Sequence, residues 1–365
     1  MSRNLLPLSV VATLLGGTAV ADVPGVAVDI APVHALVARV MDGVGTPDLI
    51  VQQGASPHSH SLRPSEAGAI ESADLVVWMG ADLTPWMADA IATLAQDAAV
   101  LTLLEADGTT LLDFREGALF EAHTHGDDHG DHDHDHDGDH DHGHGEEHAH
   151  DGHDHDHDHG DDHAHDHDHD HAEDHSHEHD HDHDHAHDDH AGHSHGAHDP
   201  HAWLSPANAA SWLNLIAAEL SAADPDNAGT YFANAAAGRA ELEALSAEVA
   251  GILEPVRGLD FIVFHDAYQY FETAFDLPAA GAISLSDASD PSPARIAEIQ
   301  ARVRDAGIDC VLSEPQFNPG LVATVLDGTD ASTAVIDPLG VDLELGPSLY
   351  PTLIRSMATA LAACG

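Results

Sequence analysis

Lysine is absent from this sequence, and the ten basic residues are all arginine, against 65 aspartate and glutamate residues. The formal net charge at pH 7 is therefore −55 with histidine neutral. A chain this acidic is repelled by phosphate backbones and by anionic membrane surfaces, which excludes both as partners. The same field attracts cations, so the composition favours metal ions as ligands.

Long apolar runs are also absent beyond the first residues of the chain. Arg3 is followed by the apolar run Leu5–Leu15 and then by Ala19-Val20-Ala21, which is the pattern of a secretory signal peptide. This run is shorter than the ~20 residues that a transmembrane helix needs. No cysteine follows the predicted cleavage site after Ala21, so no lipid anchor is indicated. We therefore expect residues 1–21 to be removed, leaving a soluble exported protein.

Only two cysteines are present, Cys310 and Cys364. In an oxidising compartment they predict a disulfide that ties the C-terminal segment back to the last domain. Two free thiols acting as metal ligands are the alternative, although the spacing lacks the C-x-x-C form of a thiolate zinc site.

The most prominent feature of the chain is an alternation of aspartate and histidine over residues 122–198. It contains all but five of the 36 histidines and no arginine. Such a segment cannot bury enough apolar surface to offset the entropy of ordering it, so we predict a disordered loop. Imidazole binds zinc, copper, nickel and iron, and the interleaved carboxylates attract cations. The loop is therefore predicted to gather metal, and an acidic spacer that only increases solubility is the alternative.

Short apolar runs alternate with helical patterns on both sides of this loop. Alternation of this kind predicts β/α units on a mostly parallel sheet. The predicted strands are 26–30, 48–51, 74–79 and 99–104 before the loop and 261–264, 310–313 and 334–336 after it. Ser65 is predicted to cap a helix that begins at Glu66. The sequence thus predicts an α/β fold of two lobes.

A long helix is predicted between the two series of strands. Asp224 and Pro225 are typical of a helix start, and Pro255 is typical of a helix end. The helix would span on the order of 45 Å, long enough to join two lobes as a rigid connector. We therefore predict an N-terminal lobe over residues 22–222, a linker helix over 223–256 and a C-terminal lobe over 257–365.

Three histidines outside the loop stand where a metal site is expected. His58 follows the second predicted strand, His201 follows the loop, and His265 follows the first strand of the second lobe. Ligands of parallel sheets bind beyond the carboxyl ends of the strands, so the three side chains are predicted to meet in a cleft between the lobes. Three imidazoles and one further ligand complete a tetrahedral zinc site. Asp337, which leaves the second sheet on the same side, is the preferred fourth ligand, and Glu314 is a weaker candidate.

Each of these histidines also has a purely structural interpretation. His58 fits a surface loop residue, and His265 fits a buried residue hydrogen-bonded to Asp266. Their joint placement beside a metal-gathering loop favours the ligand role. His34 and His60 are interpreted as bystanders, although His60 is placed to help capture metal at the rim.

Six motifs, in this order, resemble those of the ZnuA family, the periplasmic zinc-binding receptors of zinc ABC importers. They are GASPHSHSLRPS (Gly54–Ser65), ADLVVWMG (Ala73–Gly80), DPHAWLSP (Asp199–Pro206), FHDAYQYFE (Phe264–Glu272), SEPQF (Ser313–Phe317) and DPLG (Asp337–Gly340). The resemblance covers essentially the whole mature chain apart from the loop. It implies two pseudo-symmetric lobes joined by a long helix, with Zn²⁺ bound between them by His58, His201 and His265.

The resemblance also has implications for the setting of the protein. It implies a periplasmic location, delivery of Zn²⁺ to an ABC permease in the inner membrane, a His-rich loop in the first lobe and a cysteine pair in the second. We expect a monomer that is not an enzyme, is not embedded in the membrane and has no nucleic-acid partner.

The chain departs from some relatives at Pro57, where they have glutamate directly before the first ligand histidine. The fourth ligand is therefore open between water, Asp337, Glu314 and a histidine of the loop. Manganese receptors of the same superfamily use two histidines and two carboxylates because hard Mn²⁺ prefers oxygen, whereas His265 supplies nitrogen and favours zinc. Cu²⁺ and Ni²⁺ bind nitrogen sites at least as well, so a receptor for another divalent metal is an alternative.

Two other functions are compatible with these residues. A periplasmic zinc buffer without a transporter would rely on the loop rather than on the cleft. A secreted zinc hydrolase would use three histidines and a water, but the sequence has no H-E-x-x-H motif. No general base is fixed beside the histidines, although Asp266 and Glu314 are candidates for that role.

Overall fold

A computed structural model describes residues 23–115, Phe120, 198–284 and 291–365. The predicted signal peptide, residues 1–21, lies outside this part, as does the predicted loop except for its last residue, His198. Within the described ranges, no helix has the length and apolar character needed to cross a membrane.

The first lobe is built on a four-stranded parallel sheet. Its strands are β1 (Val26–Val28), β2 (Asp48–Leu49), β3 (Leu75–Trp78) and β4 (Ala99–Thr102), and its helices are α1 (Ala31–Val40), α2 (Pro64–Glu71) and α3 (Pro85–Leu94). The strand order is β2-β1-β3-β4. The central strands β1 and β3 are buried along their whole length, as expected of a parallel sheet covered by helices on both faces.

Two helices lead from the first lobe to the second. The first, α4 (Pro206–Ala223), begins after Ser205, whose hydroxyl accepts a hydrogen bond from the Asn208 N–H at 3.3 Å, as an N-cap serine does. The second, α5 (Ala228–Leu253), has 26 residues and is therefore about 39 Å long. Its buried residues recur every three or four positions and are Tyr231, Ala235, Gly238, Leu242, Leu245, Val249 and Leu253.

The second lobe repeats the topology of the first. Its strands are β5 (Phe261–His265), β6 (Gly281–Ser284), β7 (Cys310–Ser313) and β8 (Ser332–Val335), and its helices are α6 (Gln269–Phe275), α7 (Pro293–Ala306), α8 (Pro319–Leu326) and α9 (Leu349–Ala362). The strand order is β6-β5-β7-β8, and all pairs are parallel. Because both sheets have the same order, the predicted fold of two pseudo-symmetric α/β lobes is confirmed.

The long helix α5 contacts elements of both lobes. It packs against α1 and α4 of the first part of the chain and against α6 and α9 of the second lobe. A continuous apolar core follows these helices and includes residues of both sheets, such as Val28 and Val263. A separate apolar cluster covers the other face of each sheet, around Ile70 in the first lobe and Ile299 in the second. The two lobes therefore share one core.

The predicted start of α2 is wrong. This helix begins at Pro64, so Ser65 lies inside its first turn rather than at the N-cap. Proline suits the first helical position because its φ is already compatible and its missing N–H needs no partner. Glu66 takes over the capping role, since its carboxylate accepts the Arg63 N–H at 2.8 Å.

A disulfide joins Cys310, the first residue of β7, to Cys364, just after α9. The two Cα atoms are 5.7 Å apart and 54 residues separate the cysteines in sequence. Closing a loop of this length stabilises the fold by about 4 kcal/mol on the chain-entropy model. The predicted disulfide is therefore present, and the alternative of two free thiols as metal ligands is wrong.

Asp29, directly after β1, makes the stability of the first lobe depend on pH. Its carboxylate is fully buried and accepts the Ile30 N–H at 2.8 Å and the Met79 N–H at 2.6 Å. Burial raises the pKa of Asp29 from its usual 3.8 to about 7. Between these values the folded chain holds a proton that the unfolded chain has lost, so stability falls as the pH rises through this window.

We expect the substitution Asp29→Asn to remove this contribution. At 1.36 kcal/mol per pKa unit, the difference in unfolding free energy between wild type and variant should change by on the order of 4 kcal/mol between pH 4 and pH 8. The wild type should be relatively more stable at the acid end. Urea unfolding of the metal-free proteins at several pH values measures the difference.

Asp224→Asn is the control for the Asp29 experiment. Hydrogen bonds, above all from Asn227, hold the pKa of Asp224 below its usual value. Asp224 therefore stabilises the fold above its unfolded pKa and loses this contribution as the pH falls, so its variant should show the opposite slope. A difference between wild type and Asp29→Asn that does not change with pH would contradict the assignment.

Candidate metal centre

His265 lies at the switch point of the second sheet, where the strand order reverses between β5 and β7. It is the last residue of β5, and Glu314 follows the last residue of β7. The His265 Nδ1 is 2.6 Å from Glu314 Oε1, and the His265 N–H also donates to this oxygen at 3.3 Å. Both side chains are buried. The carboxylate therefore fixes the ring and leaves Nε2 as the nitrogen for a metal.

His201 is held in the same way by a carboxylate of its own segment. Asp199 Oδ1 is 2.7 Å from His201 Nδ1 and accepts the His201 N–H at 2.9 Å. Both residues are almost fully buried. When Nδ1–H donates to a carboxylate, the neutral ring presents the lone pair of Nε2, which is the usual arrangement of a histidine that binds zinc.

His58 completes the group from the loop between β2 and α2. Its ring centroid is 5.5 Å from that of His201, which in turn is 5.4 Å from that of His265. Two imidazoles bound to one tetrahedral zinc, with Zn–N distances of about 2.0–2.1 Å, have centroids about 5 Å apart. The backbone therefore brings His201 close to the spacing of a shared metal ion from both His58 and His265.

The donor atoms of this group are not yet converged. Among the residues that the structure describes, no set of three or more His, Cys, Asp or Glu side chains is arranged to hold a metal ion as it stands. The ring planes are tilted by 54° between His58 and His201 and by 65° between His201 and His265. Binding of one ion by all three rings therefore requires their side chains to move from these positions.

Asp337, the predicted fourth ligand, is half-buried and stabilises a turn. Its Oδ1 accepts the Leu339 and Gly340 N–H groups at 3.0 and 2.9 Å, and its Oδ2 accepts the Val341 N–H at 2.6 Å. The turn is held to the first lobe, because Trp203 Nε1 donates to Pro338 O at 2.9 Å. Its role as a metal ligand stays a prediction.

Buried carboxylates make the region favourable for a cation. Burial raises the pKa of Asp199 to about 7 and also raises the pKa of Glu314. The Tyr268 hydroxyl is close to Glu314 and Asp337, and its burial, together with these two charges, raises its pKa well above the usual value. A cation bound nearby would offset the cost of the desolvated negative charges.

The two other histidines outside the predicted loop have structural partners. His34, in α1, has its Nε2 3.0 Å from Pro47 O, and His60 Nε2 is 2.8 Å from Glu66 Oε2. The His60 ring also lies against Trp86, with 5.1 Å between the centroids. These contacts agree with the interpretation of both histidines as bystanders.

The carboxylate partner of the predicted ligand His265 could not be identified from the sequence. Asp266 follows His265 directly and seemed its natural partner, but its carboxylate binds Arg115 instead. The true partner, Glu314, lies 49 residues away in sequence. Its position at the end of the strand beside β5 was the available signal.

Comparison with known proteins places the chain in a family. The family model described as ZnuA, zinc-uptake complex component A, periplasmic, matches residues 26–364. The chain belongs to the ZnuA family. It is 47% identical over 340 residues to the high-affinity zinc uptake system protein ZnuA of Brucella abortus (strain 2308), covering 93% of this chain and 91% of that protein. It is 42% identical over 359 residues to the protein of that name from Paracoccus denitrificans (strain Pd 1222), covering 97% of both.

Solved structures support the same fold at lower identity. A crystal structure of ZnuA is 19% identical, covers 94% of this chain and 99% of its own, and has a TM-score of 0.64. A zinc-bound ZnuA with residues 138–173 of its own numbering deleted is 20% identical, covers 93% and 97%, and has the same TM-score. The two-lobed architecture of this chain is therefore that of ZnuA receptors.

Proposed function

We propose that this protein is a periplasmic zinc receptor that binds one Zn²⁺ between its lobes and delivers it to an ABC-type permease. The observation that carries the proposal is the proximity of His201 to both His58 and His265, with His201 and His265 held at Nδ1 by buried carboxylates. Membership of a zinc-uptake family supports the same function. The ZnuA family consists of solute receptors and not of enzymes.

Zinc is favoured over other divalent ions by the chemistry of the donors. Three imidazole nitrogens suit Zn²⁺, whereas Mn²⁺ prefers oxygen ligands. Cu²⁺ and Ni²⁺ also bind imidazole well, so delivery of zinc depends on metal availability as well as on the site. The fourth position is assigned to water, to Asp337 or to a histidine of the loop, because Glu314 is engaged with His265.

The remaining parts of the chain have proposed roles that follow from sequence. Residues 1–21 form the signal peptide, with cleavage after Ala21. The His/Asp-rich loop, residues 122–198, gathers Zn²⁺ weakly and raises its local concentration near the cleft. The linker helix over 223–256 separates the N-terminal lobe, residues 22–222, from the C-terminal lobe, residues 257–365.

Growth under zinc limitation tests this division of roles. A strain lacking the gene should regain growth in chelator-treated medium when it carries the wild type. The variant with His58, His201 and His265 all replaced by alanine should not restore growth. Deletion of residues 123–197 should restore growth but require more zinc, because the cleft site remains.

The second candidate, a zinc buffer, is favoured by the 31 histidines outside the five discussed above. It predicts the reverse pattern in the growth experiment. If the loop deletion fails to restore growth while the triple alanine variant succeeds, the buffer function replaces the receptor function. Antibody detection of each variant in the periplasm checks that it is exported.

A further inference from the structure

Arg115 connects the chain before the His/Asp-rich loop to the second lobe. Its side chain is only 16% exposed. Its guanidinium donates to both oxygens of Asp266, through Nε at 3.0 and 3.2 Å and through a further close contact from its Nη2. It also donates to both oxygens of Glu272, at 2.7 and 3.0 Å. All three nitrogens of the guanidinium thus donate to two buried carboxylates.

The segment that carries Arg115 is fixed to the first lobe by other contacts. The Thr110 N–H donates to Asn208 Oδ1 at 2.9 Å, and Asn208 Nδ2 donates back to Thr110 O at 3.0 Å. Asn208 belongs to α4, which packs on the first sheet. The guanidinium therefore joins a segment of the first lobe to two places in the second, Asp266 directly after β5 and Glu272 within α6.

The same part of the second lobe lies next to the proposed metal ligands. Asp266 directly follows His265 in the chain. Tyr270, on α6, accepts the Leu112 N–H at 3.0 Å and donates to Asp199 O at 2.9 Å. Asp199 in turn orients the His201 ring. Arg115 thus binds the residue directly after His265, and its second partner, Glu272, lies on the same helix as Tyr270, which is hydrogen-bonded to the residue that orients His201.

We propose that Arg115 is a positioning residue for the metal centre: its clasp on Asp266 and Glu272 holds His265 of the second lobe at ligand distance from His201. This inference rests on the proposed zinc-binding function. Lysine cannot replace arginine here, because a single ammonium group does not present the planar fork that engages two carboxylates at once.

The test compares zinc affinity in the full chain, using competition with a chromophoric chelator so that only the tightest site is read. Arg115→Gln is expected to raise the Kd for Zn²⁺ by about 10- to 100-fold, as loss of an outer-shell partner does. Arg115→Lys should not restore the affinity. The visible spectrum of the Co²⁺-loaded Arg115 variants should also change, because the ligand geometry relaxes.

Arg39→Gln is the matched control. Arg39 is also 16% exposed and makes a two-pronged ion pair with Glu241, at 3.0 and 2.8 Å, between α1 and α5. Its variant should bind zinc with the wild-type Kd and give the wild-type Co²⁺ spectrum. Circular dichroism establishes that each variant is folded, and Arg115→Lys, which keeps the positive charge, decides the matter if Arg115→Gln does not fold.

Two results would overturn the inference. One is a folded Arg115→Gln or Arg115→Lys variant with unchanged Kd and Co²⁺ spectrum, and the other is an equal loss of affinity in Arg39→Gln. His201→Ala, measured alongside, separates the possible failures. If His201→Ala also keeps the wild-type Kd, the proposed zinc site fails and the clasp with it. If His201→Ala loses affinity while the Arg115 variants do not, the clasp alone fails.

Discussion

Replacement of His265 by alanine is expected to abolish tight zinc binding. His265 is the one histidine that the second lobe contributes to the proposed site. Its loss leaves two imidazoles, His58 and His201, both from earlier parts of the chain. Replacing a partner of a ligand costs about 10- to 100-fold in affinity, so removing the ligand itself should cost more than about 100-fold. Calorimetric titration should show the tight phase disappear while weaker phases persist.

His60→Ala is the control for this experiment. His60 is also a buried histidine with a carboxylate partner, since its Nε2 is 2.8 Å from Glu66 Oε2. It is not among the proposed ligands, so its variant should retain the tight phase. If His265→Ala gave the same titration curve as the wild type, or if His60→Ala lost the tight phase, the ligands would be assigned incorrectly.

The second large effect is expected when the carboxylates that hydrogen-bond the proposed ligand histidines are replaced by amides. Glu314→Gln and Asp199→Asn should each weaken zinc binding by about 10- to 100-fold. A neutral amide still accepts a hydrogen bond from Nδ1–H, but it no longer raises the basicity of the ring or stabilises the charge that the bound metal induces. Competition with a chelator of known affinity measures both variants.

Glu66→Gln is matched to these two substitutions. Glu66 is 4% exposed, as Glu314 is, and it binds an imidazole nitrogen at a comparable distance. Its histidine, His60, is not a proposed ligand. We expect its zinc affinity to stay within about twofold of wild type, well short of the loss expected for an outer-shell partner of a bound metal. Equal losses in all three variants would mean that general destabilisation, and not orientation of the ligands, explains the effect.

Much of the fold was accessible from the sequence because buried parallel strands are continuous apolar runs. Cys310–Ser313 was predicted with the bounds of β7. The strand β6, Gly281–Ser284, was not predicted. Only two of its four residues, Ala282 and Ile283, are apolar side chains, which is too short a run to indicate a strand. Ser65 was a misleading cap because Pro64 had already started the helix.

The site was less accessible because its geometry depends on tertiary contacts. The three histidines were predicted from their positions after strands or after the loop. The choice of Glu314 over Asp266 as the partner of His265 depends on which strand lies beside β5. Arg115 binds Asp266, which is 151 positions away in sequence, and Glu272, which is 157 positions away. No local pattern marks such pairs.

The most direct test of the proposed site is anomalous diffraction at the zinc edge from crystals of the zinc-loaded protein. We expect one strong peak about 2.0–2.1 Å from the Nε2 atoms of His58, His201 and His265, the ordinary Zn–N distance. A strong peak that lies elsewhere, with these three nitrogens unoccupied, would contradict it.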